Sequence, residues 1–250
     1  MAILSFMNHT IFDNGACSKL AKTLKQCRIE KPLLCTDIGL VKIGLVDEIK
    51  GFLDNHTEVT LFDGTPENPT QIAVEHAAKL YEEMNCDGII SLGSGSSMDL
   101  GKAVALAVSH EGELSGYTAG LKGAKKIGKV APIIAIPTTS GTGSEISTGA
   151  VIIMKNGEKL ILASKELIHI IAICDPLLTL SLPDRLTAAT GMDAMTHCIE
   201  ALLSNQINPP AEAVACDGIQ RGIRDGHLFH AVKDGKDENA RWNMMMASLE

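Results

Sequence analysis

Asp193 and His197 lie four residues apart in the run Thr190-Gly191-Met192-Asp193-Ala194-Met195-Thr196-His197-Cys198-Ile199-Glu200. On a helix that spacing puts both side chains on one face, where a carboxylate and an imidazole could share one divalent cation. From spacing alone, a hydrogen-bonded Asp–His couple or a satisfied core histidine is the commoner explanation. His227 and His230 form a second close pair. Polar, turn-like residues flank them on both sides, so they read as surface histidines. His76, His110 and His169 have no ligand partner at short spacing.

Two loops could hold phosphate and ribose. Gly93-Ser94-Gly95-Ser96-Ser97 follows an apolar run and opens a helical pattern. Small residues there let backbone N–H groups approach a diphosphate, and the helix N-terminus adds partial positive charge. The glycines alone fit a plain tight turn equally well, since the spacing is not G-x-G-x-x-G. Lys102, one helical turn on, either pairs with Asp99 or faces the site, and the structural pair is the expectation. The second loop, Pro137-Thr138-Thr139-Ser140-Gly141-Thr142-Gly143-Ser144-Glu145, also follows a buried strand. Its hydroxyls and glycines suit a polar ligand better than a passive connection. Asp37, just beyond the apolar PLLCT run, could take the two hydroxyls of an adenosine ribose. It could equally be a helix cap.

These residues need elements to position them. Short apolar runs at 32–36, 59–62, 88–92, 131–136 and 168–174 read as buried strands. Helical spacing follows at 46–53, 70–85 and after the Gly93–Asp99 stretch to about 110. Strands alternating with helices predict a parallel α/β sheet. Beyond Pro183 the pattern is helical, at 186–204 and 211–224. The expected organisation is an α/β dinucleotide-binding domain over 1–180 and an all-α segment over 181–250. Residues 112–129, rich in Gly and Lys, read as a surface loop.

The chain has 250 residues, 45% of them hydrophobic, which is ample for real cores. Its net charge is −8, no run of Lys and Arg is present, and aromatics make up only 3%. Nucleic acid is therefore not an expected partner. No apolar stretch is long enough to span a bilayer, and the first residues lack a signal-peptide pattern, so no membrane is expected either. Seven cysteines without a C-x-x-C pair fit reduced thiols and a cytoplasmic location.

In this order, five segments resemble the iron-containing alcohol dehydrogenases. They are T-D-x-x-L/V-x-x-x-G at 36–44, F-D-G-x-x-x-N-P-T at 62–70 and L-G-x-G-S-S-x-D-x-x-K at 92–102. P-T-T-x-G-T-G-S-E at 137–145 and A-A-T-G-M-D-A-x-T-H-x-I-E at 188–200 complete the set. The resemblance spans essentially the whole chain, and the last two motifs are specific.

The resemblance implies an NAD-dependent oxidoreductase acting on a small alcohol or aldehyde. Asp37 would sit at the adenosine ribose and Asn68 near the adenine side. Gly93, Gly95 and Ser96 would hold the diphosphate. Thr138 and Thr139 would lie near the nicotinamide half, and Lys159 would reach its ribose. Asp193 and His197 would be two of four protein ligands to Fe²⁺, although relatives also use Zn²⁺. A homodimer pairing the region 4–12 would follow as well. Ser94 replaces a family glycine, and a positive φ there would strain it. The family's two remaining ligands are histidines on later helices. The expectation is therefore that this chain is an inactive fragment, ending at Glu250 within a helical pattern. The alternatives are a dehydroquinate-synthase-like relative, disfavoured by the 188–200 motif, and a non-catalytic nucleotide-binding module.

Overall fold

The computed structural model describes residues 8–54, 56–121 and 123–250. In chain order the elements are β1 (His9–Phe12), α1 (Leu20–Cys27), β2 (Pro32–Cys35), α2 (Ile38–Lys42), α3 (Leu45–Lys50) and β3 (Thr60–Phe62). Next come α4 (Gln71–Glu83), β4 (Gly88–Gly93), α5 (Gly95–Ala107), β5 (Ile133–Pro137), β6 (Gly149–Ile153), β7 (Lys159–Ala163) and β8 (Ile171–Cys174). The chain closes with α6 (Asp184–Leu203), α7 (Pro209–Ile219), α8 (His227–Lys233) and α9 (Glu238–Leu249). No described helix is long and apolar enough to cross a membrane.

Six strands form one sheet in the order β1-β8-β5-β4-β2-β3, and every pairing in it is parallel. Strands β2, β4 and β5 are buried along their whole length, as continuous apolar runs require when helices cover both faces. Successive side chains alternate between the faces. Leu33, Ile89 and Ile133 pack under α4 and α5. Leu34, Ile90 and Ile134 pack against α1 and α3. The expectation of a parallel α/β sheet is met. Of the region 4–12, residues 4–7 lie outside the described part, and among the described residues β1 pairs with β8.

Two features depart from the sequence reading. A β-hairpin, β6–β7, was not expected and pairs antiparallel outside the main sheet. Its turn carries Asn156-Gly157, with Gly157 at φ 86°, a strong hairpin signal. The surface loop expected at 112–129 carries 3-10 turns at Leu114–Tyr117, Ala119–Leu121 and Gly123–Lys126, and Leu114, Thr118 and Ile127 are buried. His227 and His230 stand on α8, half-buried and exposed respectively, in keeping with the surface reading.

The helices after Pro183 have their own apolar cluster, built by Ala194, Met195 and Cys198 of α6 with Ala215, Ala231, Ala240 and Met244. They are tied back to the sheet. Trp242 donates to Asp13 at 3.1 Å and meets Phe12 edge-on at 4.9 Å. Met245 and Leu249 pack on Ala135, Ala172 and Cys174. The outer side of α6 leaves Met192, Ile199, Leu202 and Leu203 exposed.

Candidate functional site

Adjacent parallel strands end at the same edge, and β2, β4 and β5 are neighbours. Cys35 pairs with Ser91, Leu92 with Ile136, and Gly93 with Pro137. The segments that follow these strands therefore emerge side by side at the carboxyl edge, where parallel sheets bind ligands. Between this edge, the hairpin β6–β7 and α6 lies a cleft of about 1270 Å³. Single drug-sized ligands occupy pockets of roughly 300–1,000 Å³, so the cleft has room for a dinucleotide and a substrate.

Asp37, Asn68, Gly95, Ser96, Thr139, Lys159, Asp193 and His197 all line this cleft. Gly93 and Thr138 do not. They form the layer behind the wall, where the Thr138 N–H donates to the Gly93 carbonyl at 2.9 Å and locks the two loops together.

Each wall has a local cause. Asp37 is the N-cap of α2, its Oδ1 accepting from the N–H groups of Gly39 at 2.8 Å and Leu40 at 3.1 Å. The capping reading of Asp37 is thus observed, and the same carboxylate faces the cleft. Gly93 carries the positive φ of the first loop, 142°. Ser94 sits at φ −81°, ψ −174°, an extended conformation open to any residue, so the strain expected there is absent. A Cβ on Gly95 would stand 2.7 Å from Thr142, so glycine is what lets the second loop close over the first turn of α5. Ser96 donates its hydroxyl hydrogen to the Glu67 carbonyl, leaving its lone pairs free. Lys159 reaches across the mouth to the Asn68 side-chain oxygen at 3.2 Å.

On α6, the residues Leu186, Thr190, Asp193 and His197 recur every three to four positions and face the cleft. The opposite face, with Thr187, Gly191, Ala194, Met195 and Cys198, is buried. His197 Nε2 and Asp193 Oδ1 are 3.9 Å apart, with both side chains about half exposed. Both donors therefore look into the cavity and do not form a tight hydrogen bond with each other. Gly141 lets the second loop touch this helix, since a Cβ there would meet the Thr190 carbonyl at 2.8 Å.

Lys102 does not pair directly with Asp99. It is fully buried, and its ammonium donates to the carbonyls of Ser144, Ser147 and Gly149. Cleft residues that the motif reading missed include Thr65, Glu67, Ser147, Val151 and Ile161. Val151 and Ile161 belong to the unexpected hairpin. The Asn-Gly turn was the signal that could have found them.

Comparison with known proteins supplies the lineage. The profile described as iron-containing alcohol dehydrogenase matches residues 8–176. The profile of the Fe-containing alcohol dehydrogenase family, C-terminal, matches residues 187–249. The 4-hydroxybutyrate dehydrogenase of Cupriavidus necator is 47% identical over 255 residues, covering 100% of this chain and 65% of that protein. A solved 1,3-propanediol oxidoreductase superposes with TM-score 0.93 at 35% identity, covering 100% of this chain and 64% of its own. The sulfoacetaldehyde reductase of Bifidobacterium kashiwanohense, solved in complex with NAD⁺, gives TM-score 0.90 at 26% identity, over 100% of this chain and 65% of that one. This chain thus spans just under two thirds of the length of these relatives. With profile matches over most of its length, the chain belongs to the iron-containing alcohol dehydrogenase family.

Proposed function

We propose that this chain carries the cofactor site and half of the metal site of an NAD-dependent, metal-assisted alcohol dehydrogenase. The reaction interconverts a primary alcohol, diol or ω-hydroxy acid and its aldehyde. The observation that supports it most is the shared cavity. The N-terminal turn of α5 and the Asp193–His197 pair line one and the same space. On this reading residues 1–180 are the dinucleotide-binding domain and 181–250 begin the metal-binding domain. The two profile matches, 8–176 and 187–249, support that division. The identity to a 4-hydroxybutyrate dehydrogenase favours an ω-hydroxy acid among the substrates.

The residues present fit NAD. Thr65 and Ser97 line the cleft, and their buried hydroxyls have no hydrogen-bond partner among the described residues, which suits a polar ligand nearby. Glycine at 95 keeps the backbone open to a diphosphate at the start of α5. Asp37 offers its carboxylate to the adenosine ribose, Asn68 lines the adenine side, and Lys159 offers its ammonium to the second ribose. Thr139 lies toward the nicotinamide, with Thr138 behind it as a brace. Bound NAD⁺ would supply the hydride acceptor.

The donor pair also fits its metal. A carboxylate and an imidazole suit Fe²⁺, and Zn²⁺ equally. Asp193 and His197 would hold the ion, which when bound polarises the substrate oxygen. The pair on α6 fixes where that oxygen is presented relative to the nicotinamide side of the cleft. Seven unpaired thiols, five of them buried, fit a reducing compartment such as the cytoplasm.

The direct test is a fluorescence titration of NADH with this chain, with ADP as competitor. Saturable binding with Kd below ~1 mM, displaced by ADP, is expected. A signal that never saturates would remove the cofactor reading.

The Asp37 carboxylate should also set cofactor choice. Asp37→Gly removes both the ribose acceptor and the repulsion of a 2′-phosphate. The ratio of NADPH to NADH affinity is expected to rise by at least about tenfold, alongside a capping loss of only about a few tenths of a kcal/mol, since glycine is itself a fair N-cap. An unchanged ratio with a lowered Tm would assign Asp37 to capping alone.

A further inference from the structure

Lys102 heads the largest fully buried side chains among the described residues. A methionine of similar length would fill the same space without the cost of burying a cation. Its ammonium instead meets five oxygens. They are the carbonyls of Ser144 at 2.7 Å, Ser147 at 3.0 Å and Gly149 at 2.7 Å, with the hydroxyls of Ser144 at 3.1 Å and Ser147 at 3.0 Å. One turn earlier, Asp99 accepts from the Ser144 hydroxyl at 2.7 Å and from the Val151 N–H at 2.9 Å. Ser144, Ser147, Gly149 and Val151 all line the cleft. Gly95 and Ser96, which also line the cleft, begin the same helix as Lys102.

We propose that Lys102 is a positioning residue for the cofactor: its ammonium clamps residues 144–149 to α5 and so holds the hairpin β6–β7 over the cleft. The proposal rests on the NAD reading of that cleft. An ammonium has three protons, one for each carbonyl. A neutral amine has two, and turns a lone pair toward the third. Deprotonation therefore loosens the clamp.

The groups facing Lys102 are Asp99 on α5, Glu145 in the clamped loop, and His169 before β8. Burial pushes the ammonium down to about 8, while Asp99 and Glu145 pull it back up. Burial raises Glu145 to about 7 and also raises Asp99. His169 is held well below its ordinary value by burial and by Lys102 itself, so it stays neutral. Cys174, near Glu145, is raised well above its ordinary value by burial and stays a thiol. Lys159 lies farther off, along Asp99. Between pH ~8 and the unfolded value of 10.5, the unfolded chain keeps a proton at position 102 that the folded chain has shed. This group's contribution to stability therefore rises with pH across that window. A loss of cofactor binding there is not a loss of fold caused by Lys102.

The test pairs an NADH titration from about pH 7 to about pH 9.5 with amide hydrogen exchange in the absence of nucleotide, on the unaltered chain and on Lys102→Met. The unaltered chain is expected to lose about tenfold in NADH affinity across the range, centred near pH 8. Lys102→Met should bind at least about tenfold more weakly at pH 7, with a flat pH profile. Its amides over 144–153 should exchange faster while those of β4 and β5 keep their protection. Equal binding by the variant with normal exchange over 144–153 would overturn the clamp. So would a pH-independent affinity of the unaltered chain, a measurement that needs no variant to fold. If the unaltered chain binds no NADH at any pH, the cofactor reading fails, and the exchange data still decide whether residues 144–149 hang on Lys102.

Discussion

Alcohol-dependent reduction of NAD⁺ by the 250-residue chain is expected to stay at background, even with excess Fe²⁺ under anaerobic conditions. Asp193 and His197 are two donors, about half exposed, 3.9 Å apart. Among the described residues, no group of three or more His, Cys, Asp or Glu is placed to hold an ion. Catalytic divalent sites of this donor type use at least three protein ligands, so water must complete the shell here. Titration with Zn²⁺, the air-stable surrogate, is expected to give a Kd weaker than about 10 µM. Losing even an outer-shell partner typically costs 10–100-fold in metal affinity. Replacing a direct donor, as in Asp193→Ala or His197→Ala, should therefore remove the residual binding by on the order of tenfold or more. NADH binding in both variants should be unchanged, because neither residue lies on the α5 wall. An alcohol-dependent rate clearly above background from a preparation of this length supplied with Fe²⁺ would overturn the two-donor argument.

Gly93→Ala is expected to be the most damaging single change at the cofactor end. Gly93 has φ 142°, a conformation that a residue with a Cβ rarely adopts. An added Cβ would also stand 2.5 Å from Ser97 Oγ and 3.0 Å from Ser97 Cβ. Backbone strain of about 1–3 kcal/mol and overpacking of about 1–3 kcal/mol both apply. A combined loss of roughly 2–4 kcal/mol follows, read as a lower urea midpoint at unchanged slope. The backbone would relax by shifting the first turn of α5, so NADH affinity should fall by on the order of a hundredfold. Ser94→Gly is the internal contrast. Ser94 is already in an extended conformation and makes no side-chain cap bond. Restoring glycine there should change stability by less than about 1 kcal/mol. If Ser94→Gly altered NADH affinity as strongly as Gly93→Ala, the positive φ at 93 would not be the controlling feature.

Most of the sheet was legible because buried parallel strands read as unbroken apolar runs, and PLLC, GIISLG and IIAIP do. The hairpin β6–β7 was missed although GAVII and KLILA are also mainly apolar, because runs this short do not by themselves distinguish strand from helix and the Asn156-Gly157 turn between them went unread. Lys102 was read as a partner for Asp99 because helical spacing says which residues are near in sequence, not what packs above them. Its real partners lie 42 to 47 residues away.

By itself the sequence determined the alternation of strand and helix, the glycine and hydroxyl loops, and the pairing of Asp193 with His197 on one helical face. These depend on local geometry, the periods of two and 3.6 residues, which any stretch of chain carries within itself. Only the tertiary structure decided that the loops after β2, β4 and β5 end side by side, that α6 turns its donors toward them, and that Gly93 rather than Ser94 bears the unusual φ. Those outcomes follow from strand order and from the close approach of segments far apart in sequence. They are set by packing across the sheet and have no signature in any single window of residues.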